Sequence, residues 1–240
     1  MDLSEPQKII GIEITRTPES IMISSTRYIE SILRKEGHEH CNSVSTPLNP
    51  NVQLVPNPNG EIGNHSNSFA RLLGELQYVA NATRPNISYA VNRLASYTAN
   101  PSLQHTTALK CVLWYLSGTR SLGIIYKADV EYLNFIGYTD ASYANANKRK
   151  SISGYVFIAS SGAITWSSKK QVTKALSSTE AEYVAMSEAA WEACWLCSLH
   201  SELGILQTDA LTLLHGDNEG SIAMAKNPVF HQRAKHIDIH

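Results

Sequence analysis

Cysteine is scarce in this 240-residue chain, and its four cysteines exclude a disulfide-built fold. Cys194-Trp195-Leu196-Cys197 has the CxxC spacing, but no second ligand pair accompanies it. It also lies in an apolar, helical stretch, so no zinc site is expected and both cysteines should face the core. No run of eighteen apolar residues occurs, so no membrane-spanning segment is expected. The opening Met1-Asp2-Leu3-Ser4-Glu5-Pro6 lacks a basic region followed by an apolar stretch, which leaves an intracellular chain as the expectation. Charge of one sign is lacking too. The net value is −1, so bulk electrostatics do not advertise a polyanionic partner. Internal repeats and low-complexity tracts are absent.

What is present is the profile of a globular protein, 43% hydrophobic and 17% charged, long enough for one or two domains. Two patterns meet near residue 128, giving expected domains 1–127 and 128–240. The first holds short extended runs, Ile9 to Ile14 and Ile21 to Ser24, then a helix from Thr26 to Lys35 ending at Gly37. Residues 42–66 contain four prolines among Asn, Ser and Gly and read as an irregular linker. Helices over about 67–80, 86–98 and 102–117 follow, with Pro85 and Pro101 at the starts of the last two. This region is expected to be mostly helical.

The second region predicts strands over Leu133–Thr139, Tyr155–Ala159 and Ala163–Ser168, the last two a hairpin across Ser160-Ser161-Gly162. A helix from Ser178 to Leu203, closed by Gly204, a strand from Leu211 to His215 and a helix from Asn218 to Lys226 complete it. The order βββαβα suits an α/β fold with a mixed sheet and flanking helices.

Three acids stand out. Asp140 and Asp217 each end a predicted strand, where a rigid backbone can hold a carboxylate toward solvent, although Asp217 also stands where a helix N-cap would. Ser177-Ser178-Thr179-Glu180 fits a capping box, which gives Glu180 a structural task. Glu182 instead shares a helical stripe with Ala185, Met186, Ala189, Ala193 and Leu196, the face that must pack on the sheet. A buried carboxylate there is costly without a positive partner. Convergence of Asp140, Glu182 and Asp217 would form a hard oxygen site suited to Mg²⁺ or Mn²⁺, with two ions serving phosphodiester hydrolysis. Two basic clusters, Lys148-Arg149-Lys150 and Lys169-Lys170 with Lys174, read from charge alone as solvated loops.

The blocks Tyr138-Thr139-Asp140, Arg149-Lys150-Ser151, Ser153-Gly154-Tyr155-Val156 and Trp166-Ser167-Ser168-Lys169-Lys170-Gln171 come in a distinctive order. Ala175-Leu176-Ser177-Ser178-Thr179-Glu180-Ala181-Glu182-Tyr183, Asp217-Asn218, Asn227-Pro228-Val229-Phe230-His231 and Lys235-His236-Ile237-Asp238-Ile239 extend the series. Together they resemble the ribonuclease H module of copia-type LTR retrotransposon Pol polyproteins. Val44-Ser45-Thr46-Pro47-Leu48, Leu73-Gly74-Glu75-Leu76-Gln77-Tyr78 and Thr83-Arg84-Pro85-Asn86-Ile87 are similar to the segment after the reverse transcriptase palm in the same polyproteins.

The resemblance implies a ribonuclease H-like domain preceded by a mostly helical reverse transcriptase thumb or connection region. It implies Asp140, Glu182 and Asp217 as metal-binding catalytic acids, two Mg²⁺ (or Mn²⁺) ions, and cleavage of RNA in an RNA–DNA hybrid. Lys148, Arg149, Lys150, Lys169 and Lys170 would contact hybrid phosphates. Implied partners are the hybrid and the rest of the Pol polyprotein, in a cytoplasmic virus-like particle and the nucleus. The tyrosine and paired aspartates of the polymerase site are absent, which excludes DNA synthesis by this chain. A fourth acid, expected in a Leu-Ala-Asp segment after a fifth strand, is not found before His240. Asp238, His231, His236 and His240 carry no sign of replacing it. Asn86 and Ala144-Asn145-Ala146 depart from the family pattern at what read as a helix start and a loop. A decayed remnant without catalysis is the competing expectation, and a generic nucleic-acid-binding module is the third.

Overall fold

The computed structural model describes residues 5–57, 66–128, 135–146, 149–204 and 212–227. It is a mixed α/β structure that divides into two compact units, Met1–Tyr126 and Lys127–His240.

In the first unit, β1 (Lys8–Ile9), β2 (Ile12–Thr17) and β3 (Ser20–Ser24) form an antiparallel meander. Helices α1 (Thr26–Lys35), α2 (Ser66–Ala82), α3 (Ser88–Ala95) and α4 (Leu103–Gly118) follow. A strand unmarked by the sequence pattern, β4 (Ile124–Lys127), then joins β3 to complete a four-stranded sheet. It was missed because four residues are too few to show a period of two. Ile29, Leu76, Val79, Ile87, Leu94, Val112 and Leu116 are fully buried between the helices. Each such side chain stabilises the fold by about 1.5–3 kcal/mol.

Pro85 opens a single 3₁₀ turn, Pro85–Ile87, rather than α3 itself, and Ser102 caps α4 one residue after Pro101. Asn86 has a structural role here. Its carbonyl oxygen accepts from Arg84 at 3.1 Å, and its amide donates to the Tyr115 hydroxyl at 2.5 Å. Arg84 is buried and also donates to the Thr119 carbonyl at 2.8 Å and hydroxyl at 2.7 Å.

The second unit contains β5 (Ile136–Ser142), β6 (Ile152–Ala159), β7 (Gly162–Lys170), α5 (Ser178–Glu202), β8 (Leu213–His215) and α6 (Glu219–Lys226). The sheet order is β7-β6-β5-β8, antiparallel except for the parallel β5/β8 pair. The β6/β7 loop is just Ser160-Ser161, both with positive φ (49° and 66°). That left-handed pair matches the twist of a two-residue hairpin. β6 starts at Ile152, three residues earlier than the pattern suggests, and β7 runs on through Lys170. β5 likewise continues two residues past Asp140, so that acid stands within a strand instead of ending it.

The buried stripe of α5 is Ala181, Glu182, Ala185, Ala189, Leu196 and His200, and Ala189 and Leu196 pack with Phe135, Phe157 and Ala159 of the sheet. Cys194 is exposed, which corrects its expected place in the core, and Cys197 is half-buried beside the Thr212 hydroxyl at 3.5 Å. The helix turns by about 100° per residue, so two cysteines three apart need not share its packed face.

Gly137 lies under the Phe157 ring, and a Cβ there would fall 2.4 Å from Phe157 and 2.8 Å from Leu214. Gly137→Ala should therefore destabilise the chain by about 1–3 kcal/mol through overpacking. Urea unfolding followed by tryptophan fluorescence measures this, and an unchanged midpoint would remove the packing role assigned to the glycine.

Candidate metal centre

Tyr138 of β5 pairs with His215 of β8 in parallel register. Two residues farther along each chain stand Asp140, still within β5, and Asp217, in the bend that follows β8. Glu182 comes to the same point from the second turn of α5. One carboxylate oxygen from each of Asp140, Glu182 and Asp217 lies within 4.8 Å of the others. Asp140 and Asp217 are exposed, whereas Glu182 is 9% exposed.

Helix capping leaves these acids free. Asn218, not Asp217, caps α6, its side-chain oxygen accepting from the Ser221 N–H at 2.9 Å. Ser177 caps α5 by accepting from the Glu180 N–H at 3.2 Å. Glu180 itself accepts from the Leu176 N–H at 2.7 Å, one residue beyond the reciprocal bond of a standard capping box. The starts of α5 and α6 also approach closely. A Cβ on Gly220 would lie 3.0 Å from the Thr179 methyl, so glycine permits the contact that brings Asp217 toward Glu182.

The Glu182 carboxyl is raised above its ordinary value, first by burial and then by the charges of Asp140 and Asp217. The Ala141 backbone N–H beside its carboxylate opposes that shift in part. A divalent cation would reverse the local balance by becoming its largest charge. All donors are carboxylate oxygens, which suits Mg²⁺ or Mn²⁺. Oxygens about 2.1 Å from one Mg²⁺ span at most about 4.2 Å, so the trio fits after a side-chain adjustment of about half an ångström.

The basic residues are placed unequally. Lys148 lies outside the described residues, as do His231, His236, Asp238 and His240. Arg149 is exposed with φ 57°, and the Lys150 ammonium is bonded to the Val172 carbonyl. Lys169 and Lys170 are exposed at the end of β7, a strand position instead of the expected loop. Asp140 pairs with Gly154, and Gly154 with Ser168, so Lys170 shares the sheet face of Asp140 while Lys169 is on the other.

No protein-family model matches the chain. It is 37% identical over 246 residues to the retrovirus-related Pol polyprotein from transposon TNT 1-94 of Nicotiana tabacum, covering 99% of this chain and 18% of that protein. It is 38% identical over 239 residues to the corresponding polyprotein from transposon RE1 of Arabidopsis thaliana, covering 99% and 16%. A mitochondrial protein of Arabidopsis thaliana, AtMg00810, is 34% identical over 81% of this chain and 80% of its own length. The chain belongs, as a segment, to the retrovirus-related Pol polyproteins of copia-type transposons. It spans under a fifth of the length of the two transposon polyproteins. Among the described residues of this Pol segment, no helix is long and apolar enough to cross a membrane.

Around the acids lie Gln171, Thr139 and the Ala141 N–H, to which the sequence assigned no separate role although Thr139 and Gln171 fall within the blocks of the resemblance. Gln171 is 1% exposed and Thr139 7%, yet both are polar types common on surfaces. The alternation of β5 marks Thr139 as inward-facing, but no periodic signal reaches Gln171.

The raised Glu182 carboxyl fixes a pH dependence. Its contribution to folding is fully present below its unfolded value near 4.3 and is lost as pH rises through the higher folded value. In EDTA, wild type should therefore lose stability relative to Glu182→Gln as pH rises from about 4 toward 7, and Mg²⁺ should cancel the loss. Thermal melts across that range test it, and a pH-independent difference between the two proteins would refute the cause given.

Proposed function

We propose that the second unit of this Pol segment is a ribonuclease H-like domain that hydrolyses the RNA strand of an RNA–DNA hybrid during reverse transcription of its element. The carrying observation is the approach of the Asp140, Glu182 and Asp217 carboxylates to within 4.8 Å. The segments that bring them there are the blocks through which the sequence resembles the ribonuclease H module. The first unit, in the same reading, is the thumb or connection region of the reverse transcriptase.

Asp140, Glu182 and Asp217 would hold Mg²⁺ or Mn²⁺. When bound, the ions supply a nucleophilic water at neutral pH and Lewis-acid stabilisation of the phosphorane charge and the leaving oxygen. Asp140, within β5, and Asp217, just beyond the neighbouring β8, fix the position of the scissile phosphate relative to the sheet. Glu182 approaches from the helix and, being the buried member, limits water on that side. Lys170, on the Asp140 face, and the exposed Arg149 are available to neighbouring phosphates. Selection of a hybrid would come from A-form geometry and from contacts to 2′-hydroxyls. The reaction would take place in the element's particle and the nucleus, with the rest of Pol as partner.

Cleavage of a labelled RNA–DNA hybrid by the chain with Mg²⁺ is the test. Asp140→Asn and addition of EDTA should each reduce cleavage at least about 10²-fold, because both remove the charge that assembles the centre. Equal turnover by wild type and Asp140→Asn would sink the assignment. A folded wild-type chain without cleavage would instead favour the remnant.

Phosphate contact has its own signature. Lys170→Ala should weaken hybrid binding at low salt and lower the slope of log affinity against log salt by about 1, since one fewer counterion is released. Titrations at several salt concentrations read this, and an unchanged slope would place Lys170 outside the interface.

A further inference from the structure

The buried amide of Gln171 stands between the helix that carries Glu182 and the strands that carry Asp140. It follows directly after β7, and its backbone N–H donates to the Ser151 carbonyl at 2.9 Å. Its side-chain Nε2 donates to the Ser153 hydroxyl oxygen at 3.0 Å and to the Ala181 carbonyl at 2.8 Å. The Ala181 carbonyl can only accept, which fixes the amide orientation with nitrogen toward α5.

Both partners adjoin the acids. Ala181 immediately precedes Glu182. Ser153 pairs with Ala141, whose backbone N–H faces the Glu182 carboxylate and opposes the raising effect of burial. One amide thus spans from the sheet, at the level of Asp140, to the helix backbone at Glu182.

The opposite end of the same amide argues against a role in stability alone. Gln171 Oε1 is buried and has no hydrogen-bond partner. An unpaired buried acceptor is a cost that an apolar side chain of similar shape would not carry. A locally unfavourable choice kept beside a candidate centre is the mark of a positional constraint.

We propose that Gln171 is a positioning residue that sets the reach of Glu182 toward Asp140 and Asp217. The proposal rests on the metal centre described above, and a test with the metal alone separates the two. Gln171→Met keeps the length of the side chain and removes both donors. Mn²⁺ binding to the full chain, followed by water-proton relaxation, should weaken at least about tenfold in Gln171→Met, the scale of a lost bond behind a ligand. The melting temperature in EDTA should change by no more than a few degrees.

If Gln171→Met does not fold, Ser153→Ala removes one of the two acceptors and should show a smaller loss of the same kind. A folded variant with unchanged Mn²⁺ affinity overturns the proposal. If wild type itself binds no Mn²⁺ at millimolar concentration, the metal-centre reading fails, and amide hydrogen exchange in the first two turns of α5 decides the clamp. Faster exchange there in Gln171→Met sustains it, and unchanged rates end it.

Discussion

Three carboxylates within 4.8 Å of one another repel, and the second unit must hold them together against that force. Two unit charges 4 Å apart interact with about 1 kcal/mol in water and about 4 kcal/mol near a protein surface. Side chains free to rotate would separate. Here the backbone prevents it: Asp140 sits within β5, Asp217 follows two residues after β8, the parallel neighbour of β5, and Glu182 sits on a helix whose small residues let it pack close to the sheet. Ala181, Ala185 and Ala189 are all fully buried, and Gly137 admits the Phe157 ring on the same side. The alanines and the glycine thus set how far Glu182 can reach.

Helix ends would compete for the same acids if nothing else satisfied them. An exposed N–H at the start of a helix attracts a carboxylate, and Asp217 and Glu180 both stand where they might serve. Asn218 and Ser177 take those positions. Glu180 is drawn to Leu176, while Asp217 and Glu182 remain available to a common ligand. The division of labour between Glu180 and Glu182, two residues apart on one helix, follows from the 200° between them.

Much of this could be read in the sequence, for identifiable reasons. The long α5 shows its buried stripe because twenty-five residues contain seven turns, and the packed positions recur through them. The trio could be named because two of its acids stand at the ends of predicted strands and helical periodicity points the third to the packed face of α5. Strand ends were less legible: Asp140 looked terminal because Ala141 and Ser142 are weak strand formers, yet β6 pairs with both. The first unit's β4 was invisible for lack of length. Gln171 was hidden for a deeper reason. A buried polar side chain is defined by its partners, Ser153 and Ala181, and no local pattern records partners eighteen and ten residues away.

The overall charge of −1 says nothing of where the charges stand on one sheet, and that placement governs what the surface can accept. Without a cation the trio places negative charge at the point a phosphate would have to approach. Lys170, on the same face, lies two strands across and two residues along from Asp140, roughly 12 Å by backbone spacing, which exceeds the Debye length of about 8 Å at physiological salt, and compensates only weakly. A cation between the acids would therefore change two things together: it would relieve the burial and repulsion that raise the Glu182 carboxyl, and it would turn a surface that repels a polyanion into one that accepts it. Under the function proposed above, binding of metal and of nucleic acid would be coupled by this electrostatics, and the coupling would be reciprocal. The acids that look least suited to a nucleic-acid surface would then be the ones that make the approach of a phosphate conditional on the metal.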